Sequence, residues 1–207
     1  YVRATGQLKR ALALGGAKNH LIVLPDASPQ ATAANVVASM AGCAGQRCMA
    51  AASMVAVGAT DPIIEQVCKT AQQLIPGETL GPVISPEAKS RIETFITEAE
   101  QAGASVLVDG RNTVVPGREG GFYVGATVID NVKPEMKIAQ EEVFGPVLAI
   151  IRAGDVDEAV AIENASPFGN AAAVYTRDGG QAQAIVDRTS AGMIGVNVGV
   201  PVPVCLL

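Results

Sequence analysis

The 207-residue chain has no tryptophan, a single histidine (His20) and aromatic residues at only 3% of its positions. So few rings leave no material for a base-stacking nucleic-acid platform. Basic residues are outnumbered, 15 Lys plus Arg against 20 Asp plus Glu, for a formal net charge of −5. A cationic footprint for nucleic acid or for an anionic membrane is therefore also missing. No run nears the roughly 18–20 apolar residues that a membrane span requires. Tyr1 does not open a charged-then-apolar signal sequence. Cys43, Cys48, Cys68 and Cys205 are too sparse for a disulfide framework, and no CxxC pair occurs. With one histidine, a Cys/His metal site is not expected. Free thiols suit a reducing compartment, the cytoplasm or the mitochondrial matrix. Neither GxGxxG nor GxxxxGK[ST] is present, so Gly15-Gly16 is not read as a phosphate loop. What is abundant is apolar: 49% hydrophobic against 17% charged residues, enough to bury a real core.

Short apolar runs alternate with helical segments. His20–Leu24, Met54–Val57, Ser105–Val108, Phe122–Ile129, Val147–Ile151, Ala171–Thr176 and Met193–Val198 read as strands. Ser28-Pro29 opens a helix to about Met40, Asp61-Pro62 one to about Leu74, and Ser85-Pro86-Glu87 one that ends near Gly103. Asp155–Asn164 and Gly180–Ser190 complete the set. Tyr1–Arg10 carries no confident element. This alternation predicts a single α/β domain, layered, with a mostly parallel sheet flanked by helices. His20, at a strand start, reads as structural. The tail 201–207 (PVPVCLL) ends on apolar residues, which implies a surface that packs on something beyond it.

The most unusual segment is Gly42-Cys43-Ala44-Gly45-Gln46-Arg47-Cys48-Met49. It sets a thiol among small residues, after a helix and beside an arginine. A nucleophilic cysteine needs those features: backbone free to approach a substrate, and positive charge to favour thiolate. The competing reading is a small buried apolar residue, which describes most free cysteines.

Gln46-Arg47-Cys48-Met49, with Leu14–His20 (LGGAKNH) before it and Glu141–Val147 (EEVFGPV) after it, resembles the aldehyde dehydrogenase superfamily. The pairing of GAKNH with AGQRCM, and Val196-Asn197 before Pro201-Val202-Pro203, resembles the CoA-acylating branch that acts on methylmalonate and malonate semialdehyde. The likeness runs from about Arg10 to Val204. It implies the fold of that superfamily's nucleophile-bearing catalytic domain. It also implies Cys48 as the nucleophile, with its own backbone N–H as an oxyanion donor, and NAD as the cofactor. Glu142 matches the carboxylate that binds the nicotinamide ribose, and Phe144 the ring packed beside that end of NAD. Arg47 matches the residue that grips the carboxylate of a small-molecule semialdehyde, a role that suits a guanidinium. Where hydrolytic members carry a glutamate base, this sequence has Ala13. Alanine cannot take a proton, whereas a thiol supplies some thiolate unaided. The substitution therefore fits coenzyme A as acyl acceptor.

The same resemblance leads us to expect the NAD-binding domain and the C-terminal oligomerisation strand to lie outside this stretch. The full-length form is expected to be a homo-oligomer, without nucleic-acid or membrane partners. Two alternatives stay open on sequence alone: a hydrolytic aldehyde dehydrogenase with its base elsewhere, and a non-catalytic α/β module used for subunit association.

Overall fold

The computed structural model describes residues 2–9 and 15–200. Its centre is a seven-stranded sheet in the order β3-β4-β5-β2-β1-β6-β7. The strands are β1 (Asn19–Val23), β2 (Ala51–Val57), β3 (Ser105–Val108), β4 (Thr127–Asp130), β5 (Val147–Ala153), β6 (Ala172–Tyr175) and β7 (Ile194–Val196). Every pairing is parallel except that of β3 with β4. Strands β1, β4 and β6 are buried along their whole length around short apolar runs, Leu21–Val23, Val128-Ile129 and Ala172–Tyr175, with Asn19, His20, Thr127 and Asp130 as buried polar residues at their ends. The edge strand β3 instead alternates exposed and half-buried positions.

Helices cover both faces. Leu21 and Val23 of β1 point into one cluster with Val36 and Met40 of α2 (Pro29–Ala41), Ile63 and Val67 of α3 (Asp61–Gln72), and Ile92 and Ile96 of α4 (Pro86–Gln101). Ile22 and Leu24 point the other way, onto Ala159 and Val160 of α6 (Val156–Asn164) and Ala182 and Ile185 of α7 (Gly179–Val186). Two one-turn helices, α1 (Val2–Thr5) and α5 (Lys137–Gln140), complete the described elements. The predicted caps largely do what their chemistry allows. Ser85, Asp155 and Asp178 accept hydrogen bonds from first-turn N–H groups of α4, α6 and α7, whereas the Ser28 hydroxyl makes no such bond to α2. No helix among the described residues is long and apolar enough to cross a membrane.

Several boundaries differ from the sequence reading. Residues 122–126 of the predicted strand Phe122–Ile129 lie outside β4; only residues 127–129 pair with β5, and Asp130 pairs with Ser105 of β3. Tyr123, Val124 and Ala126 are nonetheless buried, so their hydrophobicity reports packing under a crossing loop. There the Gly125 N–H donates to the Gly110 carbonyl, and a Cβ on Gly110 would fall 2.0 Å from the Gly125 oxygen. β2 begins at Ala51, three residues early, because Ala51-Ala52-Ser53 carries little strand signal. Helix α7 ends at Val186, short of Ser190.

Candidate active site

In a parallel sheet all strands begin at the same edge. Cys48 lies just before β2, Glu142 and Phe144 just before β5, Asn19 opens β1 and Asn170 precedes β6. Four loops thus converge at the amino ends of β1, β2, β5 and β6. A cleft there is lined by Ala17, Asn19, Arg47, Cys48, Glu142 and Phe144 among others. Residues 94 and 96 positions apart in sequence, Cys48 with Glu142 and with Phe144, share one wall.

The nucleophile loop follows directly from α2. That helix gives way at Gly42 to a 3-10 turn, Gly42–Gly45, in which Cys43 and Ala44 both stand at φ 53°. Non-glycine residues in the left-handed region cost about 1 kcal/mol or more and persist only where surroundings impose them. Asn19 and Asn170 hold the far end of the loop. The Asn19 amide donates to the Cys48 carbonyl at 2.8 Å and to the Ala50 carbonyl at 2.8 Å, and Asn170 donates to the Cys48 carbonyl at 3.2 Å. With its carbonyl held inward by two side chains, Cys48 leaves its side chain exposed. Its backbone N–H has no hydrogen-bond acceptor among the described residues. Gln46 fixes the far side: its amide donates to the Cys43 and Pro82 carbonyls and its oxygen accepts from the Ile84 N–H.

The second loop is pinned against the first. Gly45 stands at φ +69°, and a Cβ there would sit 2.0 Å from the Gly145 carbonyl oxygen. Only glycine permits that approach. From α4, the Arg91 guanidinium donates to the Val143 carbonyl at 2.6 Å. Phe144 is held at φ 54° with its ring over a third exposed, and Glu142 is half-buried. A strained aromatic left partly in solvent at the edge of a cleft is an arrangement that packing alone does not ask for.

Arg47 is exposed at the cleft, and its Nη2 donates to the Ser39 carbonyl at 3.2 Å and the Ala38 carbonyl at 3.4 Å. The guanidinium thereby sits at the carboxyl end of α2, sharing the Ala38 carbonyl with the Gly42 N–H, a favourable place for a cation. Its remaining donors are open to a carboxylate. All four residues singled out from the sequence meet here, while Ala13, Cys205 and the apolar tail lie outside the described residues.

His20 takes no part in the cleft. Its Nδ1 lies 2.6 Å from Glu163 Oε2 of α6, and both side chains are only 4% exposed. Cys68 is half-buried on α3, where burial and the nearby Asp130 carboxylate push its thiol above the ordinary value. Sequence reasoning passed over Asn19, Asn170, Arg91, the Gly45–Gly145 contact and Lys18. The first two were visible only as polar residues at strand starts, the others as ordinary surface or loop types.

Lys18 is buried, 3% exposed, and burial pulls its amine down to about 8 against the opposing pull of Glu142. Between pH 8 and 10.5 the unfolded chain therefore holds a proton that the folded chain has released. This residue's contribution makes stability rise with pH across that window. K18M should be more stable than the wild type at pH 7 by ~2–3 kcal/mol, with the gap closing toward pH 10.5. Paired urea titrations at the two pH values measure this, and a gap independent of pH would contradict it.

Comparison with known proteins agrees with this geometry. The aldehyde dehydrogenase family model matches residues 1–206. The human methylmalonate-semialdehyde/malonate-semialdehyde dehydrogenase (acylating, mitochondrial) is 41% identical over 204 residues, covering 96% of this chain and 38% of that protein. The crystal structure of methylmalonate-semialdehyde dehydrogenase from Oceanimonas doudoroffii superposes with a TM-score of 0.93 at 41% identity, covering 98% of this chain and 43% of that one. A Sinorhizobium meliloti structure complexed with NAD gives a TM-score of 0.92 at 38% identity, over 97% and 43% of the two chains. The chain thus spans less than half the length of each of these relatives. A match along nearly its whole length, in sequence and in three dimensions, places the chain in the aldehyde dehydrogenase family.

Proposed function

We propose that this chain is the nucleophile-bearing part of an NAD-dependent, CoA-acylating semialdehyde dehydrogenase, with methylmalonate or malonate semialdehyde as substrate. The observation that carries the proposal is the cleft itself. It brings an exposed thiol with an unengaged N–H, a half-buried carboxylate, a strained aromatic and a cation to one end of the sheet. The relatives described as methylmalonate-semialdehyde dehydrogenases, the human one as acylating, support the substrate class.

Glu142 and Phe144 fit the nicotinamide end of NAD. A carboxylate can accept from two ribose hydroxyls, and the exposed ring offers a face for a flat heterocycle. NAD when bound supplies the acceptor for the hydride that leaves the substrate carbon. The chain's own residues do the rest. Cys48 attacks the aldehyde carbon, and its Sγ–C bond forms as the carbonyl becomes an oxyanion. The Cys48 N–H donates to that oxyanion, an interaction worth roughly 3–4 kcal/mol in comparable sites. Loss of hydride restores the carbonyl as a thioester on Cys48. The thiol of coenzyme A then displaces Cys48, releasing acyl-CoA and the free thiol. Arg47 holds the substrate carboxylate throughout.

The proposal extends to assembly of the full-length protein as a homo-oligomer and to a reducing compartment. The human relative carries a mitochondrial designation.

Iodoacetamide labelling followed by mass spectrometry tests the reading on this chain alone. Cys48 should be alkylated at least ~10-fold faster than Cys43, which is also exposed, and Cys68 should lag further because thiolate is the reactive form. Equal rates at Cys48 and Cys43 would favour the non-catalytic module. In a chain joined to a cofactor-binding half, acyl-CoA as product separates the acylating from the hydrolytic reading, which predicts free acid.

A further inference from the structure

Among the described residues, Lys18 is the one buried cation at this end of the sheet that the reaction scheme does not use. It sits between Ala17 and Asn19, both of which line the cleft. It is 3% exposed, and its ammonium has no hydrogen-bond or ion-pair partner among the described residues. A lysine so placed is costly, since burial without a partner disfavours the charged form. Glu142 is the charged group that acts on it across the cleft wall. The backbone leading to Lys18 runs beside that acid: a Cβ on Gly16 would lie 3.7 Å from Glu142 Oε2.

The cleft also faces an electrostatic difficulty. It is proposed to receive an anionic semialdehyde while carrying a carboxylate of its own, and like charges at close range repel. Arg47 offsets one charge, not both.

We propose that Lys18 is a positioning residue, whose buried ammonium offsets the charge of the nearby Glu142 carboxylate, without an ion pair to it, so that an anionic substrate can reach Cys48. The inference rests on the reading of the cleft given above. It adds a residue that touches neither substrate nor cofactor and acts through Glu142. Lys18 also bridges the two halves of the site. Its neighbour Asn19 anchors the Cys48 carbonyl, and Glu142 on the opposite loop acts on its charge.

The test compares two alkylating reagents at Cys48 in this chain, anionic iodoacetate and neutral iodoacetamide. Cys48 ionisation enters both rates equally, so their ratio reports the potential in the cleft. In K18M, matched in length but uncharged, the ratio should fall ~5-fold at pH 7, the effect of one charge removed at close range in a partly desolvated site. E142Q should raise it, and the double variant should return near the wild-type ratio.

The pH profile adds a second readout. In the wild type the ratio should fall as pH rises through about 8, where Lys18 loses its proton, and K18M should lack that step. Arg47 and Arg91, the other cations at this end of the sheet, are common to both proteins. His20 and Glu163, two residues on along β1 and on α6, are common to both proteins, so the difference profile isolates Lys18.

A K18M ratio within ~1.5-fold of the wild type, an E142Q variant with no rise, or a pH step that survives in K18M would each overturn the proposal. Should K18M not fold, E142Q and the wild-type pH profile still decide. Failure of the enzymatic reading looks different: Cys48 would react no faster than Cys43, whatever the ratio.

Discussion

Serine at position 48 should lower aldehyde oxidation by at least ~10³-fold in a chain joined to its cofactor-binding half. The change removes one atom's chemistry and little else. The Cys48 side chain is exposed and makes no hydrogen bond, so its replacement leaves no buried group unpaired. The Asn19 and Asn170 bonds go to the main-chain carbonyl and survive. A hydroxyl, though, is almost wholly protonated near neutral pH, and no base is paired with it, since the only histidine is committed to Glu163. Stability within ~0.5 kcal/mol of the wild type would accompany the loss, as expected for an exposed substitution. Single-turnover assays and urea unfolding measure the two quantities. Activity within tenfold of the wild type would move the nucleophile elsewhere.

Gly45→Ala should be the most damaging single methyl group in the site, costing ~2–4 kcal/mol. Two costs add. The residue stands at φ +69°, where a Cβ is strained, and that Cβ would lie 2.0 Å from the Gly145 carbonyl oxygen and 2.2 Å from its carbon. Neither neighbour is a flexible side-chain end, so backbone must move. Gly145 cannot retreat freely, because its own far side is packed on Ile92 of α4. The two loops must therefore part, carrying Cys48 away from Glu142 and Phe144. For a chain of this size the loss amounts to a melting temperature lower by roughly 5–15 °C. Calorimetry checks the stability, and slowed iodoacetamide labelling at Cys48 checks the displaced loop. A melting point unchanged within 2 °C, a margin of about 1 kcal/mol or less, would show that the loops are not clamped there.

The reach of the sequence differed element by element. β1, β5 and β6 were legible because strands buried on both faces are built on apolar runs, and Leu21–Leu24, Val147–Ile151 and Ala171–Tyr175 are such runs. Helices α4 and α6 were legible from their caps and from apolar spacing such as Ile92, Phe95, Ile96 and Ala99. The segment 122–126 was misread, because burial under a crossing loop leaves the same apolar trace as a ladder. The antiparallel edge of β3 left no trace at all, since strand direction is set by the connection and not by the strand's own residues.

For the site, Cys48, Arg47, Glu142 and Phe144 could be picked out as chemistry-bearing types within motif-like segments. Their meeting could not be read there. Local sequence controls dihedral preference and which face is apolar, interactions that act within a few residues. That four loops open on the same edge follows from parallel strand order, and the clamping of Gly45 on Gly145 follows from a contact across 100 positions. The buried charge of Lys18 belongs to the same class. A lysine is an unremarkable letter in a loop, and only the packing around it removes the water that would otherwise make its charge cheap.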